Sequence, residues 1–489
     1  MGQIRRTLGH TLVYALGLVV NRGAAYALIP MYTRTLPQAE IGVWELATAT
    51  TLFLLPFLDL GMSSAVLRYF HVYETDDERR VAFNSSLCSL TVFLVIAVAA
   101  VFFLAKPLAE LAFGGQEYAR LMKLTALLAA ITALSNQPLA WLRTQERSLA
   151  FAGLNLVRGL VGPAAICILV LKFDMGVEGV LWGDLAGLTM MTVIALVLCR
   201  RWLRLEIALD TLKPMLAFAL PMLPLGIASP ILTISDRYFV ENWSGKEALA
   251  ILAIGTKVGV LMQFFTQAFQ TAYPPAAFQI DKRGDAPEIF SMLLRLLTVG
   301  LACVAVALSA LGPELVQILA PKGSYGSAYQ IVPFIAFTYV LYGVMLYVMT
   351  GLAIVKRMLI SSAIICSAAV VKVILNVILI GPYGNLGAAA GTLGCHVFGC
   401  VLAFVVTQRV YPVPYDIGKL LLLSALAAAT TVVICFAAPL APMIGLPIRL
   451  LLLALFTGVS CFAFVTSRER REGRDIIAAR VKRIAAFIH

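Results

Sequence analysis

The stretch VVNRGAAYALIPMYTRTL, residues 19–36, followed by GVWELATATTLFLLPFLDLGMSSAVLRYF, residues 42–70, decides how the rest of the chain is read. Both segments are apolar and of membrane-crossing length, yet both carry charge where hydrocarbon would lie. Arg22 sits near the middle of the first, and Glu45, Asp59 and Arg68 lie inside the second. A charge at bilayer depth costs roughly 2.5–3.5 kcal/mol on insertion scales, so such residues face a protein interior or a water-filled cavity. Arg22 and its counterparts are therefore candidates for lining a cavity that takes an anionic cargo.

Composition points the same way. Of 489 residues, 61% are hydrophobic and only 13% charged, about half the charge of a soluble domain, and the mean hydropathy is +0.90. That is the balance of a polytopic, all-α membrane protein. The short segment Met1 to His10, basic through Arg5 and Arg6, leads into a full-length span rather than a cleavage site. The loops are too short for a soluble catalytic domain, and no GxxxxGK[ST] phosphate loop occurs. The nine cysteines show no metal-ligand spacing, so no metal site is expected. Cys395, His396 and Cys400 share one helix and read as small, polarizable core residues.

Runs of about twenty apolar residues are long enough to cross roughly 30 Å as helices. Fourteen are found, near 9–33, 42–70, 81–104, 118–142, 149–172, 179–199, 213–237, 247–278, 291–311, 326–353, 358–381, 386–408, 418–438 and 447–467. The loops bear this count out. On one side every loop holds at least two Lys or Arg, as in Arg79 and Arg80, Arg143 and Arg147, or Lys356 and Arg357; the other side never exceeds two. The richer side is cytoplasmic by the positive-inside rule, which places both termini there and explains most of the +12 net charge. After the last span, residues 468–489 alternate Arg and Lys with Ile476, Ile477, Val481 and Ile484 at helical spacing. This tail reads as an amphipathic helix on the anionic inner leaflet, or else as a solvated basic tail.

A weak internal repeat organises the spans. GVEGVLWGDLAG, 176–187, opens the sixth, and NLGAAAGTLGCH, 385–396, opens the twelfth; aligning Gly179 with Gly387 also aligns Gly183 with Gly391. The expected organisation is an N-lobe of six spans, 1–205, a C-lobe of six, 206–412, an extra helix pair, 413–467, and the tail. An even number of spans per lobe makes the repeats parallel. The Gly-x-x-x-Gly spacing serves close helix approach.

The candidate cavity residues are the in-span cations Arg22, Arg158, Lys257 and Lys372, with Arg68 near a span end. Asparagine accompanies three: Asn21 adjoins Arg22, Asn155 shares a helical face with Arg158, and Asn376 with Lys372. Gln263, Gln267 and Gln270 form a polar stripe down span 8. In-span acids are fewer: Glu45, Asp59, Asp184 and Asp236. A surplus of fixed cations suits a phosphate or diphosphate cargo; the competing reading is buried ion pairs, or snorkelling from helix ends. Asp236 and Arg237 form either a gate pair or a plain helix end. Pro30 in span 1, and Pro221, Pro224, Pro230 and Gly226 in span 7, interrupt equivalent helices of the two lobes, the pattern of transport sites and hinges.

LIPMYTRTLPQAEIGVWELA (28–47), FLDLGMSSAVLRYF (57–70) and LPMLPLGIASPILTISDRYFV (220–240), set in fourteen spans, resemble the polysaccharide-transporter branch of the MOP superfamily. These are the Wzx-like flippases of lipid-linked oligosaccharides, related to lipid II flippases and MATE exporters. The resemblance covers about residues 5–410. It implies alternating access around a central cationic cavity, with a polyprenyl-diphosphate-linked oligosaccharide carried outward across the inner membrane. It also implies that Arg22, with Asn21, occupies the place of an essential first-span arginine. Coupling to Na⁺ or H⁺ is usual in the superfamily, with Glu45, Asp59 and Asp184 as candidates. No cofactor is implied; the expected partners are the lipid-linked substrate, the phospholipid membrane and other polysaccharide-assembly proteins, with no nucleic acid.

Two other classes compete. A drug exporter of the same superfamily calls for acids and aromatics in its cavity, the opposite of this balance. A membrane-embedded polymerase or ligase needs a sizeable loop of catalytic polar residues, and the chain holds only four histidines and short loops.

Overall fold

Each apolar run becomes a helix, because in hydrocarbon only a helix or a closed barrel satisfies every backbone N–H and C=O. A computed structural model describes residues 23, 26–438 and 442–465, and among these residues all regular structure is helical. The first half holds α1 (26–35), α2 (Gln38–Asp59), α3 (Met62–Val72), α4 (Asp76–Phe103), α5 (Ala105–Phe113), α6 (Ala119–Thr144), α7 (Ser148–Leu171) and α8 (Gly176–Leu198). Then follow α9 (Leu209–Ala219), α10 (Leu223–Ile234), α11 (Asp236–Gly259), α12 (Met262–Ile280), α13 (Ala286–Ala310) and α14 (Gly312–Leu319). The last are α15 (Val332–Ile354), α16 (Met358–Val410), α17 (Ile417–Ala437) and α18 (Pro442–Phe464).

Eleven helical stretches of the described residues are long and apolar enough to cross a membrane. Two of them, Leu209–Gly259 with 51 residues and Met358–Val410 with 53, are too long for one pass and break at glycine. Gly245 has φ 84° and Gly384 φ 52°, values open to glycine because it lacks a Cβ. Counted as two passes each, with α12 completing the second pass of the first stretch and α1 added, they give the expected arrangement of about fourteen passes.

The second pass of each half is bent. α2 stops at Asp59, Leu60 and Gly61 take left-handed backbone (φ 51° and 71°), and α3 restarts at Met62. α11 stops at Gly259, a tight turn covers Val260 and Leu261, and α12 restarts at Met262. The seventh pass breaks as its prolines require: α9 gives way to a 3₁₀ turn over Leu220–Met222 before α10, with Pro221 in the turn and Pro224 in the first turn of α10. Short amphipathic helices, α5 and α14, follow the third pass and the ninth, a second recurrence.

The chain packs as two compact units. One runs to Ala253 and includes Ile318–Gly323 and Ala369–Ala388; the other comprises Ile254–Gln317, Ser324–Ala368 and the chain from Ala389 onward. In the first, α7 and α8 meet through glycine: a Cβ on Gly183 would lie 2.7 Å from the Ile166 nitrogen, and one on Gly187 2.7 Å from the Gly162 Cα. The second is built on Val299, Val306, Leu423, Ile434 and Phe456, which fasten α17 and α18 to α13.

Candidate functional site

At Ser235 the seventh pass turns from α10 into α11, and the first residue of α11 is Asp236. Asp236 is 2% exposed. It is compensated twice. Arg237 Nη1 donates to Oδ1 at 2.6 Å, and Lys372 Nζ, fully buried at 0% exposure, donates to Oδ2 at 3.1 Å from α16. Arg237 Nη1 also donates to the Thr233 carbonyl at 2.8 Å. One turn beyond Lys372, Asn376 donates to Ser235 Oγ at 3.1 Å. Asp236, Arg237, Lys372 and Asn376 thus form one buried polar cluster, with the Lys372 ammonium facing a carboxylate rather than open space. A buried charge is retained only when paired and hydrogen-bonded.

Near this cluster in sequence, one end of the first unit is tied together by contacts of long sequence separation. Tyr238 shares a 2.9 Å hydrogen bond with Thr50 of α2. Gln38 donates to the Glu247 carbonyl at 3.1 Å, Asn385 to the Ala248 carbonyl at 2.8 Å, and Thr33 to the Leu319 carbonyl at 2.9 Å. Lys246 pairs with Glu241 at 3.6 Å and lies over the Tyr118 ring at 4.6 Å. Gly42 admits the Lys246 carbonyl so closely that any Cβ there would collide with it.

The other expected residues are distributed more widely. Arg158 of α7 is half-buried and within electrostatic reach of Asp184 of α8. Asn155 is buried and donates to the Phe151 carbonyl of its own helix at 2.9 Å. Arg68 is exposed and stacks over Phe218 at 4.2 Å. Asp59 accepts a 2.9 Å bond from Ser63 across the bend in the second pass. Glu45 is buried at 5% exposure. Lys257, Gln263, Gln267 and Gln270 are all half-buried along α11 and α12. Asn21, Arg22 and the 468–489 tail lie outside the described residues.

The comparisons can now be set beside this geometry. Residues 8–281 match the family described as polysaccharide biosynthesis protein. The chain belongs to that family. Among named relatives, the EPS I polysaccharide export inner membrane protein EpsE of Ralstonia nicotianae is 24% identical over 158 residues, 32% of this chain and 35% of that one. The matched stretch is therefore about a third of the relative's length. The fold is similar to that of the lipid II flippase MurJ, with TM-score 0.72 and 15% identity, over 97% of this chain and 100% of that one. It is also similar to the Vibrio cholerae MATE transporter VcmN, at TM-score 0.58 and 12% identity over 83% and 96%. A MOP superfamily transporter from Pyrococcus furiosus gives 0.57 and 16% over 83% and 95%. The chain is a multi-pass membrane protein of the polysaccharide biosynthesis protein family, with a fold similar to those of MurJ and the MATE transporters.

Three features of this family member escape sequence reading. Arg449, near the start of the fourteenth span, is 1% exposed; it forks onto Glu314 with bonds of 3.0 and 2.5 Å and donates to the Ala310 carbonyl at 2.7 Å. The signal was present in PIRLLLLALF, where the arginine stands inside an apolar run. The 200–208 connector is strapped to α4: Asn84 donates to the Trp202 carbonyl and accepts from the Arg204 nitrogen, both at 2.8 Å, while Arg80 donates to the Arg201 carbonyl at 3.0 Å. Third, aromatic rings gather between α12 and α15. A larger recess of about 590 Å³, between α4 and the connector and lined by Leu87, Cys88 and Arg204, holds none of the in-span charges. Among the described residues no group of His, Cys, Asp and Glu could hold a metal ion, and His396 instead approaches the Thr392 carbonyl at 2.8 Å.

Proposed function

We propose that this chain is a flippase that moves a polyprenyl-diphosphate-linked oligosaccharide, the repeat unit of a polysaccharide, from the cytoplasmic to the outer leaflet. The observation that carries this reading is the correspondence of a polysaccharide-family chain with a lipid II flippase over the full length of that structure. Spans 1–6 and 7–12 act as the two lobes of an alternating-access carrier, and spans 13–14 as an accessory pair. The proposed cargo path is cationic: Arg22, Arg158, Arg68 and Lys257 meet the diphosphate, helped by Asn21, Asn155, Gln263 and Gln267. Glu45, Asp59 and Asp184 are the candidate positions for an Na⁺ or H⁺ coupling ion. Both termini are placed in the cytoplasm of the inner membrane, with other polysaccharide-assembly proteins as partners.

In this reading the end tied by Gln38, Thr50, Tyr238, Lys246 and Asn385 is the outer end, held shut. Bends at Leu60–Gly61 and Val260–Leu261 are the joints about which the passes swing.

The MATE-like fold also supports a second reading, export of cationic drugs. Against it, the acids already meet charged or donating protein groups: Asp236 has Lys372 and Arg237, Asp184 faces Arg158, and Asp59 accepts from Ser63. A cationic cargo finds little open carboxylate. The deciding experiment is depletion of the protein while following lipid-linked oligosaccharide by leaflet. Intermediates trapped inside, with loss of polymer outside, are expected. Unchanged intermediates with new sensitivity to cationic dyes would transfer the assignment to drug export, and intermediates that reach the outside unpolymerised would end the flippase reading.

A further inference from the structure

On α12, Phe269, Gln270 and Tyr273 share one helical face, as Leu346, Tyr347 and Thr350 do on α15, each set at three- and four-residue spacing. In the second unit these faces, with Tyr342, line a cavity of about 200 Å³. That is roughly six or seven waters' worth at about 30 Å³ each, or one six-membered sugar ring.

The wall is aromatic and fixed. Phe269 and Tyr273 stack at 4.9 Å with planes 18° apart, and Tyr273 and Tyr347 at 4.4 Å and 21°. Tyr347 is 2% exposed and anchored by its hydroxyl, which donates to the Phe290 carbonyl at 2.7 Å. The polar groups lie beside this wall. The Gln270 side chain reaches Tyr342, and its Nε2 is buried without a hydrogen-bond partner. Thr350 donates to the Leu346 carbonyl at 3.1 Å, leaving its oxygen able to accept. Among the described residues no Lys, Arg, Asp or Glu lines the cavity.

That combination selects among ligands. An acyl chain would cover the rings but leave the buried Gln270 amide unsatisfied, which is unfavourable. A phosphate would find no cation, and a cationic drug no carboxylate. A pyranose has one face of axial C–H bonds, positively polarised and suited to the negative face of an aromatic ring. Its hydroxyls lie around the rim, where an amide and two hydroxyls can meet them. We infer that this cavity binds one neutral pyranose ring of the cargo, stacked on the Phe269–Tyr273 wall and held at its edge by Gln270, Tyr342 and Thr350. The inference rests on the flippase reading above and adds to it the part of the protein that senses sugar.

The test is saturation-transfer NMR on the full-length protein in nanodiscs. The probes are methyl glucopyranoside, methyl galactopyranoside and N-acetylglucosamine, with sorbitol as an acyclic control of similar polarity. At least one pyranoside is expected to receive saturable transfer at its ring C–H protons, with none to sorbitol. Gln270→Leu should weaken that binding about fivefold, the net worth of one hydrogen bond, and Thr350→Val, which keeps shape, provides a second variant should the first fail to fold. Equal transfer to sorbitol and every pyranoside, or wild-type binding in both variants, would overturn the site. Failure of the two readings is separable: accumulation of lipid-linked intermediates on depletion without pyranoside binding removes only the cavity assignment, whereas pyranoside binding without accumulation removes the flippase and retains the sugar site.

Discussion

Lys372 and Asp236, far apart in sequence, meet as a fully buried ammonium and a 2% exposed carboxylate 3.1 Å apart. The pair joins α16 to the start of α11 within one compact unit, and Arg237 is the second cation on the same carboxylate. Removing the acid leaves two buried cations facing each other, whereas removing the lysine leaves the acid still paired with arginine. Asp236→Asn should therefore cost about 3–5 kcal/mol, the penalty for breaking a buried pair, and Lys372→Met less. The double variant should recover part of the loss in a thermal-stability measurement. A double variant no more stable than Asp236→Asn alone would show that the two residues are not energetically coupled.

Gly42 gives a test of closure at the tied end. A methyl there must push the Lys246 carbonyl away, so Gly42→Ala is expected to hold that end apart and to abolish transport with little loss of protein abundance. A cysteine placed at Gln38 should then label faster with a membrane-impermeant maleimide in the Gly42→Ala background. Unchanged labelling alongside wild-type transport would mean that this contact is not a closure point.

The bend at Leu60–Gly61 carries opposite expectations for neighbouring residues. Gly61 has φ 71° and lies 3.0 Å, as a built Cβ, from the Ala219 carbonyl oxygen. Gly61→Ala should destabilise by about 1 kcal/mol or more. Leu60→Gly, by contrast, relieves a left-handed leucine worth about 1–2 kcal/mol of strain, offset by lost side-chain contacts. Melting temperatures of the two single variants check the contrast, and a larger loss in Leu60→Gly than in Gly61→Ala would refute it.

Arg449 fastens α18 to the end of α13. Replacing it with leucine strips Glu314 and the Ala310 carbonyl of their donor and should cost about 2 kcal/mol, the scale of a charged hydrogen bond. Arg449→Lys should recover only part, because an ammonium cannot fork onto both carboxylate oxygens. The leucine variant should melt below the lysine variant, and both below wild type. Wild-type melting in both variants would remove the clamp.

The capping box at the start of α4 predicts a dependence on pH. Glu78 accepts from the Thr75 backbone nitrogen at 3.2 Å, and its own N–H donates to the Thr75 hydroxyl oxygen at 3.3 Å. Hydrogen bonds from Thr75, backbone first, hold the Glu78 carboxyl below its ordinary value of 4.5. A depressed folded value means that the stabilisation is complete above the ordinary value and fades as pH falls through the lower one. Glu78→Gln should thus melt below wild type at neutral pH, and the gap should close in acid. A gap of constant size would assign the effect to something other than the carboxylate.

Much of this protein is written in one dimension. Apolar runs and their alternating loop charges specify the passes, because helix length and backbone satisfaction in hydrocarbon are local demands; the reversals at Gly245 and Gly384 are seen only in the structure. Pro221 and Pro224 mark the break of the seventh pass, since each removes a backbone donor, whereas Pro230 sits inside α10 and Pro30 inside α1 without interrupting either helix. Pairing is another matter. Lys372 reads in sequence as an in-span cation beside Asn376, and Arg449 as a basic residue at the start of the last span; only the tertiary structure gives each its carboxylate. Likewise, Tyr273 and Tyr347 are two aromatics among many until α12 and α15 bring them 4.4 Å apart over a cavity. Charge and hydrogen-bond complementarity are settled at a few ångströms between segments distant in the chain, and no local pattern encodes that distance.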